Sequence, residues 1–136
     1  MKTIRIKKNI LKRNKEEADK IRSLLKEKDI FTVNLLGSPG AGKTTFLEKI
    51  LKEMGNKKKI AIIEGDLYTT RDALRLEKYS SQIIQINTEG ACHLEANMVR
   101  QALDRLDLSE IDLLIIENVG NLVCTASYDL GEDIKI

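Results

Sequence analysis

The stretch IFTVNLLGSPGAGKTTFLEKILKEM, residues 30–54, decides the fold. It opens with a run of strand formers and turns sharply through glycines. It then resumes helical spacing at Phe46, Leu47, Ile50, Leu51 and Met54. Residues 37–44 between strand and helix match G-x-x-x-x-G-K-[ST] in full, in the strand–loop–helix context the motif requires. Glycines let the backbone bring successive N–H groups against phosphate oxygens, and the start of the following helix adds its own free N–H groups and dipole. The candidate phosphate-binding positions are Gly37, Ser38, Pro39, Gly40, Ala41, Gly42, Lys43, Thr44 and Thr45. Lys43 reaches for the β- and γ-phosphates, and the Thr44 hydroxyl suits Mg²⁺, which takes hard oxygen ligands.

Downstream the pattern alternates. KIAIIEGD (59–66), QIIQIN (82–87) and IDLLIIE (111–117) read as strands, whereas TRDALRLEKYS (70–80) and HLEANMVRQALDRL (93–106) read as helices. Consecutive apolar residues in these strands fit burial on both faces. The expected fold is therefore an α/β doubly wound, mainly parallel sheet with helices on both sides. Right-handed crossovers send every strand's C-terminal end to one edge, where ligands of such sheets collect. Asp66 and Glu117 close two of these strands, so either carboxylate can bind Mg²⁺ or orient an attacking water; capping a turn is the plainer alternative. In ENVG (117–120), the Gly120 N–H is placed to sense a γ-phosphate.

Upstream, NKEEADKIRSLLKEKD (14–29) reads as an amphipathic helix with acidic residues in its first turn. Residues 1–30 hold 11 Lys and Arg against 5 Asp and Glu, so they form a basic N-terminal segment with an amphipathic helix ahead of a phosphate-loop domain at 31–136. Aromatics make up 4% of the chain, which gives base stacking on nucleic acid little support. Apolar runs such as IDLLII are too short to span a bilayer, and the expected location is cytoplasmic.

The one histidine, His93, directly follows Cys92, one of two cysteines. Adjacent helical residues point about 100° apart. The pair can therefore share an ion only in a loop or at a helix start, where TEGACHLE (88–95) places it. Cys124 follows the fourth strand as Cys92 follows the third. Thiolate and imidazole select Zn²⁺, Ni²⁺ or Cu, and a two-fold dimer could complete a tetrahedral set. Two buried core residues are the bland alternative. A nucleophilic Cys–His dyad is a weaker one, because sequence neighbours rarely face each other.

VNLLGSPGAGKTT, IEGD, QINTEGACHLEANMV, DLLIIENVGNLVC and SYDLGED, in this order and spacing, closely resemble the nickel-incorporation GTPase of hydrogenase maturation, the HypB family of SIMIBI-class phosphate-loop GTPases. The resemblance runs from about Thr32 to the C-terminus. It implies a cytoplasmic GTPase that dimerises around nucleotide and helps deliver Ni²⁺ to the large subunit of nickel-iron hydrogenase, with a small zinc-containing nickel metallochaperone as partner. It further implies that residues 37–44 hold GTP, that Thr44, Asp66 and Glu117 form the Mg²⁺ neighbourhood, and that 117–120 are the switch. Lys43, Asp66 and Glu117 are the implied catalytic residues, and Cys92, His93 and Cys124 the implied Ni²⁺ or Zn²⁺ site between subunits.

The chain starts without the family's N-terminal cysteine or histidine-rich stretch, so a nickel-storage role is not expected. It stops at GEDIKI, where a fifth strand should begin and ahead of the guanine-reading N-K-x-D, so the sheet is expected to be incomplete. The alternatives are a urease-accessory GTPase, whose matching stretch separates Cys from His by a proline, a small-molecule kinase, and a nucleotide-binding module without catalysis.

Overall fold

Alternation along each strand sorts its side chains onto two faces, and two helix layers cover them. The computed structural model describes residues 6–37, 43–55, 57–66, 82–88, 91–120 and 125–136, with backbone only at 6–9, 43, 44 and 66. The strands are β1 (Phe31–Leu35), β2 (Ile60–Asp66), β3 (Gln82–Asn87), β4 (Leu113–Glu117) and β5 (Ile134–Lys135). They form a sheet of order β3-β2-β4-β1-β5 with every described pairing parallel. The expected fifth strand begins at GEDIKI and pairs with Val33 and Asn34. The helix expected over 70–80 lies outside the described residues.

One face packs on α2 (Lys43–Met54), where Leu47 and Leu51 meet Leu35, Ile60, Ile62 and Ile115. The other carries α1 (Ile6–Glu27) and α3 (Ala96–Leu103), whose Ala18, Ile21, Leu25, Val99 and Leu103 join Ala61, Ile63, Leu114, Ile116 and Leu130 in the larger core. Ile60 and Ile62 face α2 while Ala61 and Ile63 face α1 and α3, the period of two that burial on both sides demands.

The N-terminal helix is longer than its expected start at Asn14. It runs from Ile6, and its first turn holds no acidic residue. Asn14 lies inside the helix and is buried. Its side-chain amide donates to the Asp129 carbonyl at 2.7 Å, and its oxygen accepts from the Ala96 N–H, also at 2.7 Å. Helix α3 is shorter than expected because His93 falls in a bend before it.

The loop after β4 is held to α1 by a polar cluster. Arg22 binds Asp129 at 2.6 Å, and the Asn34 amide donates to Glu132 at 2.9 Å. Burial alone pushes the Asp129 carboxyl up, but hydrogen bonds with Glu132, Arg22 and the Gly131 N–H outweigh it and hold Asp129 well below the usual carboxylate range. Glu132 moves the opposite way. Burial and its hydrogen bond with Asp129 push it up, and Asn34 opposes them.

A group whose folded pKa is raised favours folding below its unfolded value, 4.5 for Glu132, and that contribution is lost as pH rises through the folded pKa. Glu132→Gln mimics the protonated acid. It should be more stable than the parent at neutral pH, with the gain disappearing below about 4.5, when urea melts are followed against pH. Gly131 has φ +87° and its missing Cβ would lie 2.6 Å from Ile21 Cγ2. Gly131→Ala should therefore cost about 2–4 kcal/mol in the same assay; a loss under about 0.5 kcal/mol would contradict the packing of α1 on this turn.

Candidate functional site

Four strand ends meet at the C-terminal edge of the sheet. Leu35 of β1 is in register with Glu117 of β4, and Glu117 with Glu64 of β2, so the last turn of β1 and two acids share one row. Immediately beyond, the Asn118 N–H donates to the Leu35 carbonyl at 3.0 Å, which ties the end of β4 to the start of the glycine loop. Gly37 is buried beside this row, and Lys43 opens α2, whose first turn carries no acid to compete with an anion. Ser38, Pro39, Gly40, Ala41 and Gly42 lie outside the described residues, as do the side chains of Lys43, Thr44 and Asp66. Thr45 is exposed, and Asp66 closes β2 in register with Asn87.

Glu64 was missed by sequence reasoning. It is 2% exposed, Glu117 is 7% exposed, and the two stand on neighbouring strands about 4.8 Å apart in backbone spacing. Strand parity puts both on the α2 face, the face of Ile62 and Ile115. Their oxygens are hard donors of the kind a divalent ion takes. The available signal was a glutamate at an inward position of an otherwise apolar strand, two residues ahead of Asp66.

The Cys92–His93 pair belongs to the opposite face. The Thr88 carbonyl accepts from the Ala91 N–H at 3.1 Å and closes a turn just after β3. Cys92 and His93 follow in a bend, and α3 starts at Ala96. Leu94 is fully buried against β2. A Cβ on Gly65 would come within 2.9 Å of it, so only glycine fits between Glu64 and Asp66 without displacing that side chain. The helix that opens at Lys43 and the Leu94 bend thus pack on opposite faces of the sheet.

Here the two sequence neighbours do face each other, with Cys92 Sγ 3.5 Å from His93 Nδ1, contrary to the expectation for such a pair. The bend before α3 frees both side chains from helical divergence. A tetrahedral ion with sulfur at about 2.3 Å and nitrogen at about 2.0 Å sets its donors about 3.5 Å apart, while a square-planar one needs about 3.0 Å. The separation is equally that of an S–H···N hydrogen bond, so it brings the two donors within reach of one ion without fixing its geometry. Among the described residues no third donor joins it, and Cys124 lies outside them. Cys92 is a free thiol.

One side chain ties the ends of β1 and β4 to the bend before α3. Asn118 is fully buried, and its oxygen accepts from the Leu94 N–H at 3.4 Å and the Val119 N–H at 2.9 Å. Its amide donates to Asn34 at 3.1 Å. A residue between Glu117 and Gly120 therefore holds the backbone next to His93.

The family model for the CobW/HypB/UreG nucleotide-binding domain matches residues 31–134. A probable hydrogenase maturation factor HypB from Methanocaldococcus jannaschii is 47% identical over 131 residues, covering 96% of this chain and 59% of that protein. A hydrogenase/urease maturation factor HypB from Helicobacter hepaticus is 45% identical, with 99% of this chain and 57% of that protein covered. The crystal structure of HypB from Helicobacter pylori in complex with nickel superposes with a TM-score of 0.80 at 41% identity, over 90% of this chain and 58% of that one. The chain spans less than two thirds of the length of each.

Removing the Asn118 side chain strands buried donors and an acceptor at the seam. Asn118→Ala should lower stability by about 2–4 kcal/mol in urea denaturation; a change under about 0.5 kcal/mol would mean that the seam is held by other contacts.

Proposed function

The chain belongs to the CobW/HypB/UreG nucleotide-binding family, and from that premise we propose that it is a GTP-binding and GTP-hydrolysing metallochaperone domain that assists nickel insertion into nickel-iron hydrogenase. What supports this reading is the seam at Asn118, which connects the end of β1, just ahead of the glycine loop, to the residue after His93. A nucleotide-binding module without a metal cargo has no need of a Cys–His bite hung on its switch.

In this reading the N–H groups of residues 37–42 and Lys43 grip the phosphates, and Glu117 or Asp66 orients the attacking water. The Thr44 hydroxyl with Asp66 and Glu117 would hold Mg²⁺, and Glu64 stands beside Glu117; the ion would supply charge neutralisation on the phosphates. Gly120 N–H meets the γ-phosphate. Loss of that phosphate releases Gly120, and Asn118, two residues away, carries the shift to Leu94 and hence to His93 and Cys92. A ligand moves such an equilibrium only by its differential affinity for the two states, so the GTP and GDP forms differ in metal affinity.

Cys92, His93 and Cys124 supply thiolate and imidazole to Ni²⁺ or Zn²⁺. One chain is short of four donors, and a nucleotide-dependent homodimer brings a second set to the two-fold axis. The partners are a small zinc-containing nickel metallochaperone, which loads the site, and the hydrogenase large subunit, which receives the ion. The Helicobacter hepaticus relative is described as serving urease as well as hydrogenase, so nickel delivery toward urease is the second reading.

The protein should take up about one Ni²⁺ or Zn²⁺ per dimer, the stoichiometry of a site closed by two Cys92 and two His93 on a two-fold axis. Cys92→Ala should abolish uptake while nucleotide affinity is unchanged, both followed by equilibrium dialysis. Equal uptake by the variant would remove the metal assignment. Labelled GTP should release free phosphate, and transfer of label to a small-molecule hydroxyl would establish a kinase instead.

A further inference from the structure

Two contacts around His93 have no part in nucleotide binding. The Tyr128 ring stacks on the imidazole with centroids 3.9 Å apart and planes 15° from parallel. On the far side of the imidazole from Cys92, Nε2 lies 3.4 Å from Glu95 Oε1, while Nδ1 faces Cys92 Sγ. The stack blocks rotation out of its plane. The carboxylate, which can only accept, favours the hydrogen on Nε2 and leaves Nδ1 bare toward the sulfur. Ligating histidines commonly use this arrangement, one nitrogen on the metal and the other N–H on a carboxylate that fixes the tautomer.

Glu95 and Tyr128 sit on segments remote in sequence, and one residue of the N-terminal helix fastens both. Asn14 accepts from the Ala96 N–H, next to Glu95, and donates to the Asp129 carbonyl, next to Tyr128, each at 2.7 Å. Two ion pairs between α1 and the same segments reinforce it: Arg22 binds Asp129 at 2.6 Å, and Arg100 of α3 binds Glu17 at 2.7 Å. The buried amide spans the gap at full hydrogen-bonding strength, whereas the Glu95 contact is long and gains precision from the stack.

We propose that Glu95 and Tyr128 are positioning residues that hold the His93 imidazole with Nδ1 presented to an ion shared with Cys92, and that Asn14 of α1 clamps the two segments carrying them. The inference rests on the metal reading above. It assigns the N-terminal helix a task inside the site.

His93 is the chain's one histidine, so its ring nitrogens give unambiguous ¹⁵N signals. In metal-free protein at mildly alkaline pH the hydrogen should reside on Nε2, and Glu95→Leu should give a tautomer mixture; an Nδ1–H form in the parent protein would overturn the proposal without any metal being added. For Zn²⁺ affinity by chelator competition, Tyr128→Phe, which keeps the ring, should remain within about twofold of the parent. Tyr128→Leu should bind about tenfold more weakly, the loss typical of disturbing a ligand's supporting shell. Asn14→Ala should broaden the His93 ring signals and weaken Zn²⁺ in the same direction, with nucleotide affinity unchanged in all three. Parent-like affinity in Tyr128→Leu, or an equal loss in Tyr128→Phe, would overturn the stacking role, and parent-like spectra and affinity in Asn14→Ala would overturn the clamp. If Cys92→Ala binds Zn²⁺ as tightly as the parent, the metal reading fails instead, while the metal-free spectra still decide how the ring is held.

Discussion

A fully buried asparagine side chain must find partners for both ends of its amide, and at position 118 those partners come from three parts of the chain. Its oxygen takes N–H groups from the bend before α3 and from its own following residue, and its amide reaches Asn34 in the central strand. Asn34 passes the connection to Glu132, and Glu132 sits beside Arg22 of α1. Leaving a buried donor or acceptor unmade costs more than a typical bond contributes, so the network favours one arrangement of these segments over nearby alternatives. The fold around it supplies apolar area; this seam supplies position.

The sheet explains why a seam is needed. Apolar packing on α2 and on α1 with α3 builds two separate cores, each blind to the other. Glu64 and Glu117 stand on the α2 side, and Leu94 and the residues leading into α3 stand on the other. The backbone is common to both sides where the strands end. Gly65 and Asn118 occupy that edge, the first by admitting Leu94 against the backbone, the second by hydrogen bonding to it. Interfaces of this kind switch between discrete packings rather than deforming smoothly, which suits a nucleotide-driven change.

Much of this was legible in the residues. Strands β1 to β4 sit where apolar runs place them because burial on both faces leaves little freedom in composition, and the glycine loop announces itself by spacing. Helix boundaries were less legible. Asn14 looks like a helix start because asparagine favours caps, yet here tertiary hydrogen bonds employ it in mid-helix. His93 fits helical periodicity by its neighbours, yet falls in a bend where it can face Cys92. Glu64, Glu95 and Tyr128 were overlooked for a common reason: each matters through a partner far away in sequence or around a turn, and local pattern carries no record of that partner. The resemblance named Cys92 and His93 as donors, but their 3.5 Å bite is a property of the folded bend.

In the proposed function, cargo ion and nucleotide influence each other across the sheet edge. Zn²⁺ affinity measured in the presence of GDP and of a non-hydrolysable GTP analogue tests it most directly. The account predicts affinities differing by about fivefold or more, with the same ratio recovered when nucleotide affinity is measured with and without Zn²⁺. Identical affinities in the two nucleotide states, with both nucleotides bound, would contradict it.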